Sequence, residues 1–321
     1  MKAAIVSGPG RRPVYGDFDE PKPGAGELRV AVAAAALSPL AKARASGAHY
    51  SASGQYPAVV GVDGVGRLDD GRRVYFLLPP APWGAMAERT VAPAAHCAPV
   101  PDGLDDVTAA AIANPGMSSW AAFKERAKLQ AGETVLINGA TGAAGRLAVQ
   151  IAKRFGARKV TATGRNPEAL RALAALGADA TIALVDDETA LEARFKEEFA
   201  AGVDVVVDYL WGKSAERLLA AAAKAAADGQ RVRYVEIGSA SGANVALPGA
   251  TLRAKAIELM GSGLGSVPVD RLVAIIGELL QAAASSRFDI AAMPVPLSRV
   301  ERAWTADDGG RTVFTIDAAK A

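Results

Sequence analysis

The stretch GETVLINGATGAAGRLAVQIA, residues 132–152, decides the fold of this chain. Val135–Ile137 is apolar on consecutive residues, as is expected of a strand that helices cover on both faces of a parallel sheet. A turn of the pattern A-x-G-x-x-G follows, from Ala140 to Gly145, with Gly139 just before it. The stretch therefore predicts a strand over Thr134–Asn138, a tight glycine turn and a helix over Ala143–Phe155.

Strands and helices continue to alternate after this stretch. The predicted strands are Lys159–Thr163, Thr181–Leu184, Val203–Tyr209, Arg231–Ile237 and Ile257–Met260. The predicted helices are Pro167–Leu176, Glu188–Phe199 and Ser214–Ala227, and a further helix over Ser118–Leu129, with Ser118 as its N-cap, precedes the stretch. Repeated βα units of this length predict an α/β fold with a doubly wound parallel sheet.

The two ends of the chain have a different character. Residues 1–113 contain short apolar runs separated by glycine and proline, which is typical of a β-rich domain. The runs are Ala3–Ser7, Glu27–Ala34, Val59–Val65, Arg73–Phe76 and Ala85–Val91, with one helix over Pro39–Ser46; near the other end, a helix over Pro268–Ala284 and a strand over Thr312–Ile316 are predicted. We therefore predict a β-rich domain of residues 1–113 and 264–321, into which an α/β domain of residues 114–263 is inserted.

The glycine turn predicts a binding site for the pyrophosphate of a dinucleotide. Gly142 would let the backbone approach the phosphates, and Gly145 would let the helix pack closely on the strand. The N–H groups of Ala143, Ala144 and Gly145 open the helix, where the helix dipole adds positive potential. The alternative is a tight turn in a flavodoxin-like sheet that binds no dinucleotide.

The end of the second predicted strand indicates which dinucleotide is bound. A carboxylate at this point would accept hydrogen bonds from the ribose hydroxyls of NAD. Here the strand ends in Gly164, Arg165 and Asn166, without an acidic residue. A guanidinium suits a 2′-phosphate through two parallel hydrogen bonds, so we predict NADP(H) as the cofactor. The alternative is that Arg165 is a solvated loop cation and that the site does not discriminate.

Composition excludes several other classes. A chain of 321 residues, half of them hydrophobic, is long enough for two domains. Lys plus Arg is 36 and Asp plus Glu is 34, so the charge lacks the basic excess of a nucleic-acid-binding protein. One Cys and two His exclude an intrachain disulfide and argue against a zinc enzyme. The apolar runs are too short to span a bilayer, and we expect a cytoplasmic protein without a metal, nucleic-acid or membrane partner.

Several segments together resemble one family. Pro101–Leu104, Ala109–Ala111 and Gly116–Phe123 resemble its run before the nucleotide domain, and Ala131–Gly145 resembles its nucleotide turn. Leu176–Asp179, Val203–Asp208 and Val235–Ser239 resemble its later strand edges. On these segments the chain is similar, over nearly its full length, to the zinc-independent medium-chain dehydrogenase/reductase family, quinone oxidoreductase type. The resemblance implies a Rossmann domain together with a β-rich GroES-like catalytic domain.

The resemblance also implies the chemistry. Ser38 stands where the zinc members have their first Cys, and Gly61-Val62-Asp63 stands where they have Gly-His-Glu. The zinc-free relatives use NADPH to reduce quinones or activated C=C bonds, which need less help from a Lewis acid. We therefore expect an NADPH-dependent reductase of a quinone or an α,β-unsaturated carbonyl. The alternative is an NADP(H)-binding regulatory or scaffold protein without turnover.

Candidate residues for the reaction follow from the same resemblance. Tyr50 is the candidate proton donor, although Tyr56 could take the same position and solvent or substrate could supply the proton. Ser38 is a candidate contact to substrate or cofactor. The nicotinamide half of the cofactor would lie along Ser118, Gly238, Ser239, Gly263 and Leu264. The alternative for Ser118 is that it only caps its helix. The resemblance implies a homodimer that pairs the predicted strand Ile257–Met260 across a two-fold axis.

Overall fold

A computed structural model describes residues 1–184, 187–286, 288–306 and 309–316. The chain divides into two units: Met1–Asn114 together with Val269–Ala321, and Pro115–Pro268. These boundaries differ by one and by five residues from those of the predicted domains, 1–113 with 264–321 and 114–263. Residues 317–321 of the predicted β-rich domain lie outside the described residues.

Short strands dominate the amino-terminal part of the first unit. They are β1 (Lys2–Val6), β2 (Val14–Asp17), β3 (Glu27–Ala36), β4 (Ala58–Val59), β5 (Asp63–Leu68), β6 (Arg73–Leu77), β7 (Arg89–Pro93) and β8 (Cys97–Pro99). Helix α1 (Pro39–Ala45) follows β3 directly, close to the predicted Pro39–Ser46. It begins there because Ser38 Oγ accepts a hydrogen bond from Ala41 N at 3.0 Å, and because Pro39 suits a first turn.

Strands and helices alternate through the second unit. Helix α2 (Asp106–Ala121) enters it, and the elements after it are β9 (Thr134–Asn138), α3 (Ala143–Arg154), β10 (Lys159–Gly164), α4 (Pro167–Ala172), β11 (Ala180–Ala183), α5 (Glu188–Ala200), β12 (Val205–Asp208), α6 (Gly212–Ala225), β13 (Val232–Glu236), α7 (Gly249–Ala254) and β14 (Ile257–Gly261). The six strands form one parallel sheet in the order β11-β10-β9-β12-β13-β14. The predicted doubly wound sheet is therefore confirmed, and its strand order reverses between β9 and β12.

The carboxyl-terminal elements return to the first unit. They are α8 (Val269–Ser285), β15 (Ala292–Pro296), α9 (Val300–Ala303) and β16 (Arg311–Thr315). Strand β16 pairs antiparallel with β3, where Val313 lies opposite Ala36, and parallel with β15. The mixed sheet runs β15-β16-β3-β5-β6-β8, with β7 also paired to β3, and β2-β1-β4 form a smaller sheet. The two ends of the chain thus build one sheet.

The prediction of a helix that starts at Ser118 is wrong. Helix α2 starts at Asp106, with Asp105 Oδ1 accepting from Thr108 N at 2.9 Å. It continues into a π-helical segment, Ala122–Ala127, and ends at Lys128, whose φ is 51°. The alanine-rich part before Asn114 is completely buried and shows no apolar periodicity, so the sequence pattern does not reveal it as a helix.

Two predicted strands differ from the observed ones. The run Val59–Val65 is divided between β4 and β5, because Gly61, at φ +102°, turns the chain between them. The run Ala85–Val91 forms a regular strand only from Arg89 onward. A buried apolar run does not say where a β-rich chain bends.

Candidate functional site at the carboxyl ends of the parallel strands

The glycine turn joins β9 to α3, and its three glycines have different surroundings. A Cβ at Gly145 would lie 2.5 Å from both Ala140 Cα and Gly139 O. A Cβ at Gly139, whose φ is +88°, would lie 2.7 Å from Leu210 Cγ. A Cβ at Gly142, in contrast, would meet no atom of the described chain within 4 Å. Two glycines are thus required by packing within the protein, whereas the third faces open space.

The first turn of α3 offers backbone donors to an anion. Gly142 is its N-cap, and no side chain among the described residues accepts a hydrogen bond from the first turn. That turn contains no acidic residue, and Ala143, Ala144 and Gly145 open it. Because the helix has 12 residues, its dipole places partial positive charge at these N–H groups. The turn lies beside the strand-order reversal, where doubly wound sheets bind their ligands.

The end of β10 adds a cation next to the turn. Gly139 N donates to Thr163 Oγ1 at 3.0 Å, and Ala140 N donates to Thr163 O at 2.8 Å, so β10 holds the turn. Gly164 is buried, and a Cβ there would lie 2.5 Å from Thr141 Cγ2. Arg165 is exposed and has no hydrogen bond or ion pair within the described part of the chain.

Asn166 caps a helix at the same strand end. Its Oδ1 accepts from Glu168 N at 2.9 Å and from Ala169 N at 3.0 Å, so it caps α4. Its side-chain oxygen is therefore engaged, and the predicted cofactor contact of Asn166 has no geometric support beyond its position.

A row of polar side chains crosses the sheet at its carboxyl edge. Asn138 lies opposite Asp208, and Asp208 lies opposite Glu236, in register on neighbouring parallel strands. Thr163 Oγ1 donates to Asn138 Oδ1 at 2.8 Å, and Asn138 Nδ2 donates to Asp208 Oδ1 at 2.8 Å. These hydrogen bonds link β10, β9 and β12, and Glu236 extends this polar row (Thr163, Asn138, Asp208 and Glu236) onto β13.

Asp208 is the centre of the polar row. Tyr234 OH donates to its Oδ2 at 2.6 Å, and Leu210 N and Trp211 N donate to its Oδ1 at 2.8 and 3.1 Å. Burial raises the pKa of the Asp208 carboxyl above its usual value, although these donors oppose the shift. The carboxyl thereby fixes the loop after β12, including Trp211 at φ 56°. The sequence prediction did not assign this role to Asp208.

The residues predicted along the nicotinamide half lie after β13 and β14. Gly238 follows β13, and its N donates to Asp208 O at 3.2 Å. A Cβ at Gly238 would lie 3.3 Å from Tyr209 O, while Ser239 is exposed. Gly263 forms a tight turn with Ser266, whose Oγ accepts from Gly263 N at 2.8 Å, and Leu264 is half-buried beside it.

Ser118 lies inside α2 and is not an N-cap. Its Oγ donates to Pro115 O, three residues earlier in the helix, at 2.7 Å. The neighbouring Ser119 is buried and forms a 2.7 Å hydrogen bond with Tyr209 OH. Burial raises the pKa of Tyr209 to about 12. The pair Ser119 and Tyr209, which the sequence did not single out, connects α2 to the loop after β12.

The three candidate hydroxyl residues of the first unit differ in burial and in hydrogen bonding. Ser38 is 3% exposed, and its Oγ is the cap acceptor of α1. Tyr50 is 75% exposed, and its ring lies 4.1 Å from that of His49. Tyr56 is half-buried, and its OH donates to Ala45 O at 3.2 Å. Of the three hydroxyls, only that of Tyr50 lies on a strongly exposed side chain.

Asp63 occupies the interior of the first unit. It accepts from Asn114 Nδ2 at 3.2 Å, and Arg311 and Tyr75 are its other polar neighbours. Within the described ranges, Asp63 Oδ2, Tyr75 OH and Arg311 Nε have no hydrogen-bond partner. Burial raises the pKa of Asp63 to about 6, although the charge of Arg311 opposes the shift.

The described residues hold neither a cluster of metal ligands nor a membrane-spanning helix. No group of three or more His, Cys, Asp or Glu side chains is arranged to hold a metal ion in the part of the chain that the structure describes. No helix among those same residues is long and apolar enough to cross a membrane.

Comparison with known proteins identifies several relatives of this chain. Residues 143–281 match the zinc-binding dehydrogenase family model. A probable NADPH-dependent quinone reductase of Emericella nidulans is 28% identical over 345 residues, which cover 94% of this chain and 96% of the reductase. A trans-enoyl reductase of Aspergillus terreus is 31% identical over 150 residues, which cover 46% of this chain and 39% of that protein.

A solved structure agrees with the fold over nearly the whole chain. It is the quinone oxidoreductase of Thermus thermophilus, which was solved with and without NADPH. The TM-score is 0.81 at 28% identity, with 98% of this chain and 100% of the other covered.

Proposed function

Because the chain belongs to the medium-chain dehydrogenase/reductase family, quinone oxidoreductase type, we propose that it transfers hydride from NADPH to a quinone or an α,β-unsaturated carbonyl, without zinc. The observation that carries this proposal is the open turn at Gly142, with the uncapped first turn of α3 beside it, at the strand-order reversal. The printed functions of the quinone reductase and the trans-enoyl reductase support the two substrate classes.

The second unit would hold the cofactor through its own backbone. The pyrophosphate would accept hydrogen bonds from the N–H groups of Ala143, Ala144 and Gly145, at the space that Gly142 leaves open. Arg165 would pair with the 2′-phosphate, since its exposed guanidinium has no protein partner among the described residues. The nicotinamide half would extend over the ends of β12 and β13, along Gly238 and Ser239. NADPH supplies the hydride when bound.

The first unit would supply the groups that act on substrate. Reduction of an enone or a quinone leaves an anionic oxygen that must be protonated. Tyr50 is our candidate donor because its side chain is exposed, and the half-buried Tyr56 is the alternative. Ser38 Oγ accepts the cap hydrogen bond but retains its own proton as a donor. We also propose a cytoplasmic homodimer.

The activity is tested by following NADPH absorbance with 1,4-benzoquinone, 9,10-phenanthrenequinone and a short enone. We expect oxidation of NADPH with at least one of them, and a lower rate in Tyr50→Phe than in the matched variant Tyr56→Phe. Tight NADPH binding without oxidation across the panel would overturn the reductase and favour a regulatory or scaffold protein.

The NADP(H) preference is tested by the substitution Arg165→Asp. Removing the guanidinium and adding a carboxylate would weaken NADPH binding by roughly 100-fold or more, since a charge-assisted pair is replaced by repulsion. NADH binding would change little or improve. Titration of both nucleotides by fluorescence gives the affinity ratio, with Arg171→Asp on the neighbouring helix α4 as the control. An unchanged ratio would show that Arg165 does not contact the 2′-phosphate.

A further inference from the structure

A pocket that is partly open to solvent lies within the first unit. Its lining includes Arg44 from α1, three residues of the following loop, Ser53, Gln55 and Tyr56, and the two apolar side chains Val62 and Trp83. Neither the glycine turn nor the polar row contributes to it. The cavity thus combines one cation, several hydrogen-bonding groups and an apolar wall, which is the usual make-up of a site for a small molecule.

Arg44 is a cation without a counter-charge. Its side chain forms no hydrogen bond or ion pair with any residue in the described ranges, and none of the residues that line the cavity is acidic. The sequence from Leu28 to Val62 contains no Asp or Glu. Burial lowers the pKa of Arg44 below its ordinary value, and no neighbouring carboxylate offsets this effect. Partial burial of a guanidinium without a counter-charge costs free energy, and an anion beside it would offset that cost.

The remainder of the lining is suited to an organic anion rather than a bare ion. The hydrogen bond from Tyr56 OH to Ala45 O holds the Tyr56 ring against the cavity. Val62 is 3% exposed and belongs to the apolar core, so the floor is rigid. Ser53 Oγ accepts from Gln55 N at 3.3 Å, which leaves its hydroxyl proton for a second acceptor. A molecule with a charged end and an apolar body fits both parts.

We propose that this cavity binds a small organic carboxylate. The guanidinium of Arg44 pairs with the carboxylate, whose two oxygens match its parallel N–H groups. The apolar body of the ligand lies against Val62 and Trp83. The site is formed by the first unit alone and does not depend on the proposed reductase activity.

The test measures binding of 2-butenoate and of its neutral amide to the full chain, without nucleotide. Isothermal titration gives both affinities, and Trp83 in the wall provides a fluorescence signal. The two ligands have nearly the same shape and differ in charge. We expect the carboxylate to bind at least tenfold more tightly than the amide. Equal binding, or no binding of the carboxylate at millimolar concentration, would overturn the proposal without affecting the reductase.

Substitutions test whether Arg44 is responsible for the binding of 2-butenoate. Arg44→Gln should weaken 2-butenoate binding at least tenfold and leave the amide unchanged, whereas Arg44→Lys should keep part of the affinity. Lys42→Gln removes a cation from the same helix but not from the cavity lining, and it should bind like the wild type. Unchanged binding in Arg44→Gln, or an equal loss in Lys42→Gln, would show that the site is not built on Arg44. If Arg44→Gln does not fold, the comparison of 2-butenoate with its amide on the wild type still tests the proposal.

Discussion

Asp208 and Asp63 are buried aspartates in the two units, and their hydrogen bonds differ. Asp208 accepts from Asn138, Leu210, Trp211 and Tyr234. Asp63 accepts from Asn114, and its Oδ2 has no partner within the described ranges. Burial raises the pKa of both carboxyls, but Asp208 accepts four hydrogen bonds that offset its desolvation, whereas Asp63 is opposed mainly by the charge of Arg311. The same residue type thus fixes a loop in one unit and is an incompletely satisfied charge in the other.

Two tyrosine hydroxyls test this difference. Tyr234→Phe leaves Asp208 Oδ2 buried without its 2.6 Å donor, and we expect it to lower the free energy of unfolding by about 1–3 kcal/mol. Tyr75→Phe removes a hydroxyl that is equally buried and faces Asp63 but forms no hydrogen bond of normal geometry within the described residues, so we expect a smaller loss, below about 1 kcal/mol. Urea unfolding measures both. Equal losses in the two variants would contradict this account of Asp208.

Asp63 should make stability depend on pH. Its pKa in the folded protein, about 6, lies above the ordinary value of 3.8, so between these values the folded state binds the proton more tightly than the unfolded state. The contribution of Asp63 is therefore fully present below pH 4 and is lost as pH rises to about 6, by roughly 3 kcal/mol.

Asp63→Asn removes this titration and keeps the shape of the side chain. The difference in the free energy of unfolding, wild type minus Asp63→Asn, should fall between pH 4 and pH 6 in urea titrations. A difference that stays level between pH 4 and pH 6 and falls below pH 4 would mean that attraction to Arg311 outweighs burial and holds the pKa of Asp63 below its ordinary value.

At the scale of elements, the βα unit around the glycine turn can be predicted because its signals are local. The sequence predicts strand β9 with its observed bounds, and α3 to within one residue, since a buried strand, a glycine turn and an amphipathic helix each leave a pattern in adjacent residues. The same pattern assigns Gly145 to close packing, which the 2.5 Å distance from its added Cβ to Ala140 Cα supports.

The polar row and α2 cannot be predicted in this way because their causes are not local. Asn138 and Asp208 are 70 residues apart, and only the pairing of β9 with β12 makes them neighbours. Helix α2 contains Pro115 and a fully buried alanine run, both of which argue against an amphipathic helix. The pattern accordingly predicts a helix start at Ser118, twelve residues too late. In each case tertiary pairing or burial outweighs the local pattern.

The turn glycines provide a prediction that separates folding from cofactor binding. Gly145→Ala would force its Cβ against the backbone of Ala140, and we expect a loss of about 2 kcal/mol or more in the free energy of unfolding. Gly142→Ala meets no atom within 4 Å and should cost less than about 1 kcal/mol. The methyl group added at residue 142 would nevertheless occupy the space proposed for the pyrophosphate, so NADPH affinity should fall at least tenfold. Normal NADPH affinity in Gly142→Ala would place the phosphates elsewhere.

At the scale of the whole molecule, the two ends of the chain meet in one sheet while the parallel sheet keeps an open edge. Strand β14 is the last in the order of the parallel sheet, and its residues are half-buried up to Met260. An edge strand presents unpaired backbone groups to another chain, and a charged side chain on it opposes such pairing. In the other unit, β2 is also an edge strand, and its Val14 is 56% exposed.

These two edges provide the test of the proposed homodimer. If β14 pairs with its copy across a two-fold axis, Met260→Lys places cations from both subunits at one interface, and like charges there oppose pairing. We expect the wild type to elute at twice the mass of the chain in size-exclusion chromatography with light scattering, and Met260→Lys to shift toward the monomer. The matched variant Val14→Lys changes the edge of the other sheet and should remain dimeric. A dimer that resists Met260→Lys but dissociates in Val14→Lys would move the interface to β2.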